Sequence, residues 1–164
     1  MDIDAQPFAI QRSGPRRLLA IVAAATLVVA FAPTVFAGGA TVTRGDLAAF
    51  ATAAGQPITG RAQMIRTADG KTTVSIHVEG LLPNTVYGSH VHAAACAEGD
   101  ANGHYKYDPA GPAAPPNEIW PGFTTNASGT GNGNATVDWT AGQTAVSVVV
   151  HAPGGAKIAC ADLS

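Results

Sequence analysis

Histidines are the residues of this sequence whose types and spacing best fit metal chemistry. His90 and His92 form a His-x-His pair in a stretch that is predicted to be a strand. Because side chains alternate along a strand, both imidazoles would project from one face, at a spacing that can chelate one ion. The pair alone is a weak signal, since His-x-His also occurs on strands that bind nothing.

Two further histidines strengthen this interpretation. His104 lies in a long loop, and His151 ends the apolar run 148–150. A polar ring beside an apolar run needs a partner. Without a metal, His104 would be a solvated loop residue and His151 a core histidine bonded to the backbone. His77 has no such neighbours and is predicted to be an exposed strand residue.

The first 37 residues are predicted to be an export signal. Arg12, Arg16 and Arg17 give a basic start, residues 18–37 are almost wholly apolar, and residues 35–37 suit a cleavage site. The apolar run is also long enough to span a bilayer, so a retained N-terminal anchor is the alternative. Either way the domain is expected to be secreted, periplasmic or in the cell envelope.

The charge balance excludes one class of partner. The chain has 9 basic and 11 acidic residues, a formal net charge of −2, and three of its arginines lie in the leader. Nucleic-acid binding usually requires a basic surface, so no nucleic acid is expected. Contact with a membrane is expected only if the leader is retained, and the oligomeric state is left open.

Cys96 and Cys160 are the only cysteines. In an exported protein such a pair is more typical of a disulfide than of two reactive thiols. Closing this loop of about 65 residues would stabilise the fold by about 4 kcal/mol in the chain-entropy model.

Alternation of apolar and polar residues beyond the leader predicts an all-β domain, a β-sandwich or flattened barrel. Asp69-Gly70 predicts a hairpin, and residues 46–54 are the one helix candidate. Residues 96–134 form a long irregular loop, in which residues 120–123 are interpreted as an anchor packed on the barrel. Strand-like runs occupy residues 58–66, 71–79, 86–93, 135–140, 144–151 and 156–163.

Ordered motifs in the mature chain resemble the copper/zinc superoxide dismutase family. They are Gly88-Ser89-His90-Val91-His92, Cys96, Gly103-His104-Tyr105, Asp108-Pro109, Val149-Val150-His151 and Lys157-Ile158-Ala159-Cys160. The likeness runs over about residues 56–163. It implies a Greek-key sandwich or flattened barrel over residues 56–164, after an N-terminal segment of residues 38–55. It also implies copper ligation by His90, His92, His104 and His151, with His104 at the position that bridges copper to zinc.

The chain departs from that family at the zinc site. No histidine lies between His104 and His151, where the family supplies two more together with an aspartate. Asp108, Glu118 and Asp138 alone cannot form a closed zinc site, which prefers nitrogen or sulfur donors. The chain therefore resembles the zinc-less, copper-only branch, and one copper per chain without zinc is expected.

A second departure is Lys157, which stands three residues before Cys160, where the family has an arginine that holds superoxide. Lysine keeps the positive charge but lacks the planar fork of donors. Lys157 and His104 are the residues predicted to act in catalysis. The short loop between His151 and Cys160 is expected to leave the copper more open to solvent.

The function implied by the resemblance is an exported copper-dependent superoxide dismutase that converts superoxide to dioxygen and hydrogen peroxide. Neutral imidazoles suit copper, and a ligating histidine usually needs a partner for its second nitrogen. Asp108 and Glu118 are the candidate partners of His104. Two alternatives remain: a copper-binding or buffering protein without significant dismutase activity, and a non-catalytic chordin-like β-sandwich.

Overall fold

A computed structural model describes residues 39–164, so the predicted leader lies outside the described residues. Within this range no helix is long and apolar enough to cross a bilayer. A short 3-10 helix covers Ala51–Ala53. The strands are β1 (Thr41–Asp46), β2 (Ala48–Ala49), β3 (Thr59–Arg66), β4 (Thr72–Glu79), β5 (Val86–His92), β6 (Phe123–Thr124), β7 (Gly131–Val137), β8 (Ser147–His151) and β9 (Lys157–Asp162).

The strands form two antiparallel sheets, which confirms the all-β class. The four-stranded sheet has the order β1-β3-β4-β7, and the five-stranded sheet has the order β2-β9-β8-β5-β6. The sheets do not close into a barrel, so the sandwich alternative is the one observed. Several consecutive strands lie in different sheets, and the chain repeatedly crosses between the two layers.

The core lies between the sheets and follows the predicted alternation. Val74, Ile76 and Val78 on β4 are buried, whereas His77 between them is exposed, as expected for a strand with one wet face. The β3–β4 hairpin turns at Asp69-Gly70, where Gly70 takes a positive φ of 90°. From the five-stranded sheet, Val91, Val148, Val150, Ala159 and Ala161 pack into the same core.

The predicted helix over residues 46–54 is wrong. The chain here changes sheets: β1 pairs with β3, and after Leu47 β2 pairs with β9. Only the single 3-10 turn follows. Pairing with two sheets outweighs the weak helical pattern of so short a segment. Residues 38–55 therefore contribute two strands to the sandwich.

The predicted loop over residues 96–134 is too long at its C-terminal end. It contains β6, and β7 begins at Gly131 rather than at residue 135. Glycine and asparagine fill the first half of β7, which hides the alternation of apolar residues. Gly131 is required where it lies, because a Cβ there would overlap the ring of Phe123.

A small apolar cluster covers part of the outer face of the five-stranded sheet. It contains Ala101, Val149 and Cys160, with Phe50 and Cys96 packed against them. Cys96 and Cys160 form a disulfide, as predicted, with a Cα–Cα distance of 5.8 Å. This bond and its cluster fasten the start of the long loop to β9, on the face that carries the histidines.

Candidate metal centre

Two neighbouring strands supply three of the four candidate ligands. His90 and His92 lie on β5, and His151 ends β8, which pairs antiparallel with β5. Val91 and Val150 point into the core, so the alternating histidines lie on the outer face of the sheet. Sheet pairing thus brings together residues that are far apart in the sequence.

The fourth candidate ligand, His104, is held by backbone pairing of its loop with the end of β5. The N–H of Tyr105 donates to the carbonyl of Val91 at 2.9 Å, and the N–H of Ala93 donates to Gly103 at 3.1 Å. His92 and His104 are therefore opposite one another in an isolated antiparallel bridge. Residues 103–105 therefore pair with the end of β5 in the manner of a short additional strand.

All four predicted ligands converge. One ring nitrogen from each of His90, His92, His104 and His151 lies within 4.8 Å of the other three. Ring centroids are 4.1 Å apart for His90 and His104, and 5.8 Å apart for His104 and His151. His92 and His151 are buried, whereas 29% of the His104 side chain is exposed. The cluster therefore lies near the surface, and solvent can reach it at His104.

Hydrogen bonds assign the protons on two of these rings. Nδ1 of His92 lies 3.1 Å from the carbonyl oxygen of Ala101, and Nδ1 of His151 lies 3.0 Å from that of Gly155. A carbonyl only accepts, so Nδ1 carries the proton in both rings. In the neutral imidazole the other nitrogen, Nε2, then has a free lone pair.

These two lone pairs face one another. Nε2 of His92 and Nε2 of His151 lie 3.4 Å apart with no proton available for a bond between them. Such an approach of two acceptors is unfavourable unless a cation lies between or beside them. Nδ1 of His90 is also buried and has no hydrogen-bond partner among residues 39–164.

Burial keeps the rings in the neutral form that metals require. Desolvation, with the neighbouring histidines adding to it, lowers the pKa of His90 to about 3, and desolvation and His104 lower that of His92 to about 4. Burial also lowers the pKa of His151. A group of neutral imidazoles with free lone pairs can bind a metal ion without first losing protons.

Glu118 is the partner of His104, and the alternative candidate Asp108 is not. Nδ1 of His104 donates to Oε2 of Glu118 at 2.6 Å, and only 1% of Glu118 is exposed. Asp108 is exposed, and its Oδ1 accepts the backbone N–H of Ala110. Asp108 lies in a turn, and its carboxylate accepts a hydrogen bond from the backbone of that turn rather than from His104.

Lys157 lies next to the cluster but is bonded to the backbone. Its Nζ donates to the carbonyl oxygens of Asp100 at 2.7 Å and Asn102 at 2.6 Å. These carbonyls belong to a left-handed turn, in which Asp100, Ala101 and Asn102 have φ of 52°, 62° and 50°. This conformation costs Ala101 about 1–2 kcal/mol, whereas Asp and Asn adopt it more readily. Lys157 thus stabilises a strained turn that also accepts the Nδ1 proton of His92.

Trp120 was missed as a site residue, because residues 120–123 were interpreted as an anchor. Phe123 and Pro121 are indeed buried. Trp120, however, lies with its ring centroid 5.0 Å from that of His90 and donates its Nε1–H to Glu118 at 2.7 Å. Residues 118–120 belong to no strand, so no regular sequence pattern indicated that Glu118 and Trp120 would lie on the metal side.

His77 lies elsewhere, on the outer face of the four-stranded sheet, where its Nδ1 contacts Asn132 at 2.8 Å. It takes no part in the cluster, as predicted.

No protein-family model matches the sequence, and no curated protein matches it significantly. The case for function therefore comes from the chemistry of the four imidazoles and their neighbours.

Proposed function

We propose that this protein is an exported copper-dependent superoxide dismutase, which converts two superoxide ions and two protons to dioxygen and hydrogen peroxide. The observation that carries the proposal is the convergence of four imidazoles, with the unprotonated Nε2 atoms of His92 and His151 facing each other at 3.4 Å. The sandwich, with its histidines on the outer face of one sheet, supports a Greek-key fold of the copper/zinc superoxide dismutase type.

Copper fits this donor set better than other ions do. All four donors are imidazole nitrogens, and divalent copper has the highest affinity of the first-row divalent ions for such ligands. The Cys96–Cys160 disulfide is typical of an oxidising compartment, in which copper would be present as Cu(II). We expect one copper per chain and no zinc.

Bound copper would supply one-electron chemistry, by alternating between two oxidation states. The protein supplies orientation and protons. Glu118 keeps a proton on Nδ1 of His104 and fixes the ring plane, so that Nε2 faces the other ligands. Nε2 of His104 would hold the copper, and it could carry a proton to the substrate only while it is not bound to the metal. The 29% exposure of this side chain gives water access to it.

The surface beside His104 is open and carries positive charge. A cleft of about 380 Å³ lies beside His104, with Tyr105, Lys106 and Thr144 among its lining residues. Lys157 adds a second ammonium group near His92 and His151, where its charge contributes to lowering their pKa values. Positive charge at an open site favours the encounter with a small anion such as superoxide.

A copper-binding or buffering function without useful turnover is the second candidate. One observation favours it: two of the three N–H donors of Lys157 are taken by backbone carbonyls. The family arginine that it replaces would offer a planar fork to the anion. The two functions share the metal centre and differ in the rate of turnover.

The test is the decay of superoxide in the presence of protein loaded with one Cu(II) per chain, followed by stopped-flow or pulse-radiolysis absorbance. Protein loaded with zinc is the control, since zinc occupies imidazole sites but cannot change its oxidation state. We expect the copper form to outpace the same concentration of free aqueous copper and the zinc form to be inactive. Equal rates for the copper form and free copper would contradict the dismutase function, and copper binding or buffering would then be the function that remains.

A further inference from the structure

Trp120 occupies an unusual place beside the histidine cluster. Its indole ring lies against His90, with ring centroids 5.0 Å apart and planes inclined by 58°. Its Nε1–H donates to Oε2 of Glu118 at 2.7 Å. One side chain therefore touches one candidate ligand directly and a second ligand, His104, through a carboxylate.

The carboxylate needs this donor. Glu118 is only 1% exposed, and Oε2 accepts from both His104 and Trp120, whereas Oε1 has no partner among the described residues. A buried carboxylate is costly unless hydrogen bonds compensate for lost hydration. With only two donors, both to one oxygen, loss of the indole N–H would remove half of the bonds that fix the carboxylate group.

The backbone holds Trp120 firmly in this position. Ile119 and Pro121 on either side are almost fully buried, and the carbonyl of Ile119 accepts the N–H of Val91 on β5. The segment is thus tied to the strand that carries His90 and His92. The indole itself remains 38% exposed, which is a high exposure for a large apolar ring held between two buried neighbours.

We propose that Trp120 is a positioning residue of the metal centre: its N–H fixes Glu118, which orients His104, and its ring covers His90. This inference rests on the proposed copper function for its effect on metal binding. The effect on His104 itself does not require a metal, because the hydrogen bonds are formed by the protein alone.

The decisive variant is Trp120→Phe, which keeps an aromatic ring against His90 and removes the N–H. We expect copper affinity, measured by competition with a chelator, to fall by about 10–100-fold, as for other residues that hold metal ligands. The Cu(II) electron paramagnetic resonance spectrum should change as well. Trp139→Phe is the matched control, because Trp139 is also partly exposed but packs on Tyr107.

A double-mutant cycle separates positioning from general packing. If the indole acts through Glu118, Trp120→Phe combined with Glu118→Gln should weaken copper binding little more than Glu118→Gln alone. Fully additive losses, or a Trp120→Phe protein that binds copper with the affinity and spectrum of the parent, would overturn the inference. Thermal unfolding of each variant checks that the fold is retained.

The metal-free protein gives a second readout. The Nδ1 proton of His104, observed by nuclear magnetic resonance, should exchange with water faster in Trp120→Phe than in the parent or in Trp139→Phe. An unchanged exchange rate would contradict the role of Trp120 even if the parent protein bound no copper. Failure of the parent to take up one copper per chain would instead contradict the proposed function.

Discussion

Nδ1 of His104 lies 2.6 Å from Oε2 of Glu118, and this bond joins a loop histidine to a carboxylate buried from solvent. The other three candidate ligands come from strands, whose pairing fixes their positions. His104 has only a short stretch of backbone pairing beside β5, so the direction of its ring depends on its side-chain partner.

Replacing Glu118 by glutamine tests this dependence. Glu118→Gln keeps the size of the side chain but removes the charge that favours the Nδ1–H form of His104. We expect copper affinity, measured by chelator competition, to fall by about 10–100-fold. Asp108→Asn is the matched control, since Asp108 is exposed and bonded to Ala110. Equal affinities for the parent and Glu118→Gln would show that His104 does not need the carboxylate.

Much of the histidine cluster could be predicted from the sequence, because the candidate ligands lie at positions that strand alternation and the ordered motifs define. The choice between Asp108 and Glu118 could not be. Both lie in a loop without regular periodicity, and which carboxylate turns inward depends on the backbone pairing of residues 103–105 and of Ile119 along β5. Trp120 was missed for the same reason.

Parts of the fold could likewise be predicted from the sequence, and other parts could not. Runs with strict alternation, such as β4, were predicted with nearly correct bounds. The change of sheet at Leu47 was predicted as a helix, because the two short strands there gain their stability from partners distant in the sequence. Local patterns carry no information about such partners.

Loss of the disulfide should destabilise the sandwich and loosen the loop that carries His104. The two cysteines are separated by 64 positions. For the double variant Cys96→Ala with Cys160→Ala, we expect the free energy of unfolding to fall by about 4 kcal/mol, through the greater entropy of the unfolded chain. Urea denaturation of the metal-free protein measures this loss. A change of less than about 1 kcal/mol would contradict the expectation.

The stability of the metal-free protein should fall in mildly acidic solution. The folded pKa values of about 3 for His90 and about 4 for His92 lie below the value of about 6.5 in an unfolded chain. Below about pH 6.5 the unfolded chain therefore binds protons that the folded protein does not. The stabilisation present above that pH is lost progressively as the pH falls through about 4 for His92 and about 3 for His90.

Urea denaturation at several pH values measures this loss, and two variants identify its source. His90→Gln should make the loss with decreasing pH shallower, because one depressed pKa is removed. His77→Gln should leave the loss in place, since His77 is exposed and its bonds to Asn132 and Glu79 raise its pKa. Parallel curves for the parent and His90→Gln would contradict the assignment to the cluster.

Lys157 holds the turn through its hydrogen bonds, and under the proposed function its charge also attracts the anion. Lys157→Met keeps most of the length of the side chain and removes both its charge and its bonds to Asp100 and Asn102. Loss of those bonds frees the strained turn that accepts the Nδ1 proton of His92, so copper affinity should fall. Under the proposed function, kcat/KM for superoxide should also fall by about tenfold or more, because a positive charge near the metal attracts the anion.

The dependence of kcat/KM on ionic strength distinguishes these effects. In the copper-loaded parent, added salt should lower kcat/KM by screening the attraction of superoxide, and in Lys157→Met this decline should be flatter. Lys157→Arg keeps the charge and should keep the decline. If Lys157→Met loses copper affinity but retains the salt dependence of the parent, Lys157 serves only to hold the turn. The anion must then be attracted by other charges, and Lys106, which lines the cleft beside His104, is one candidate.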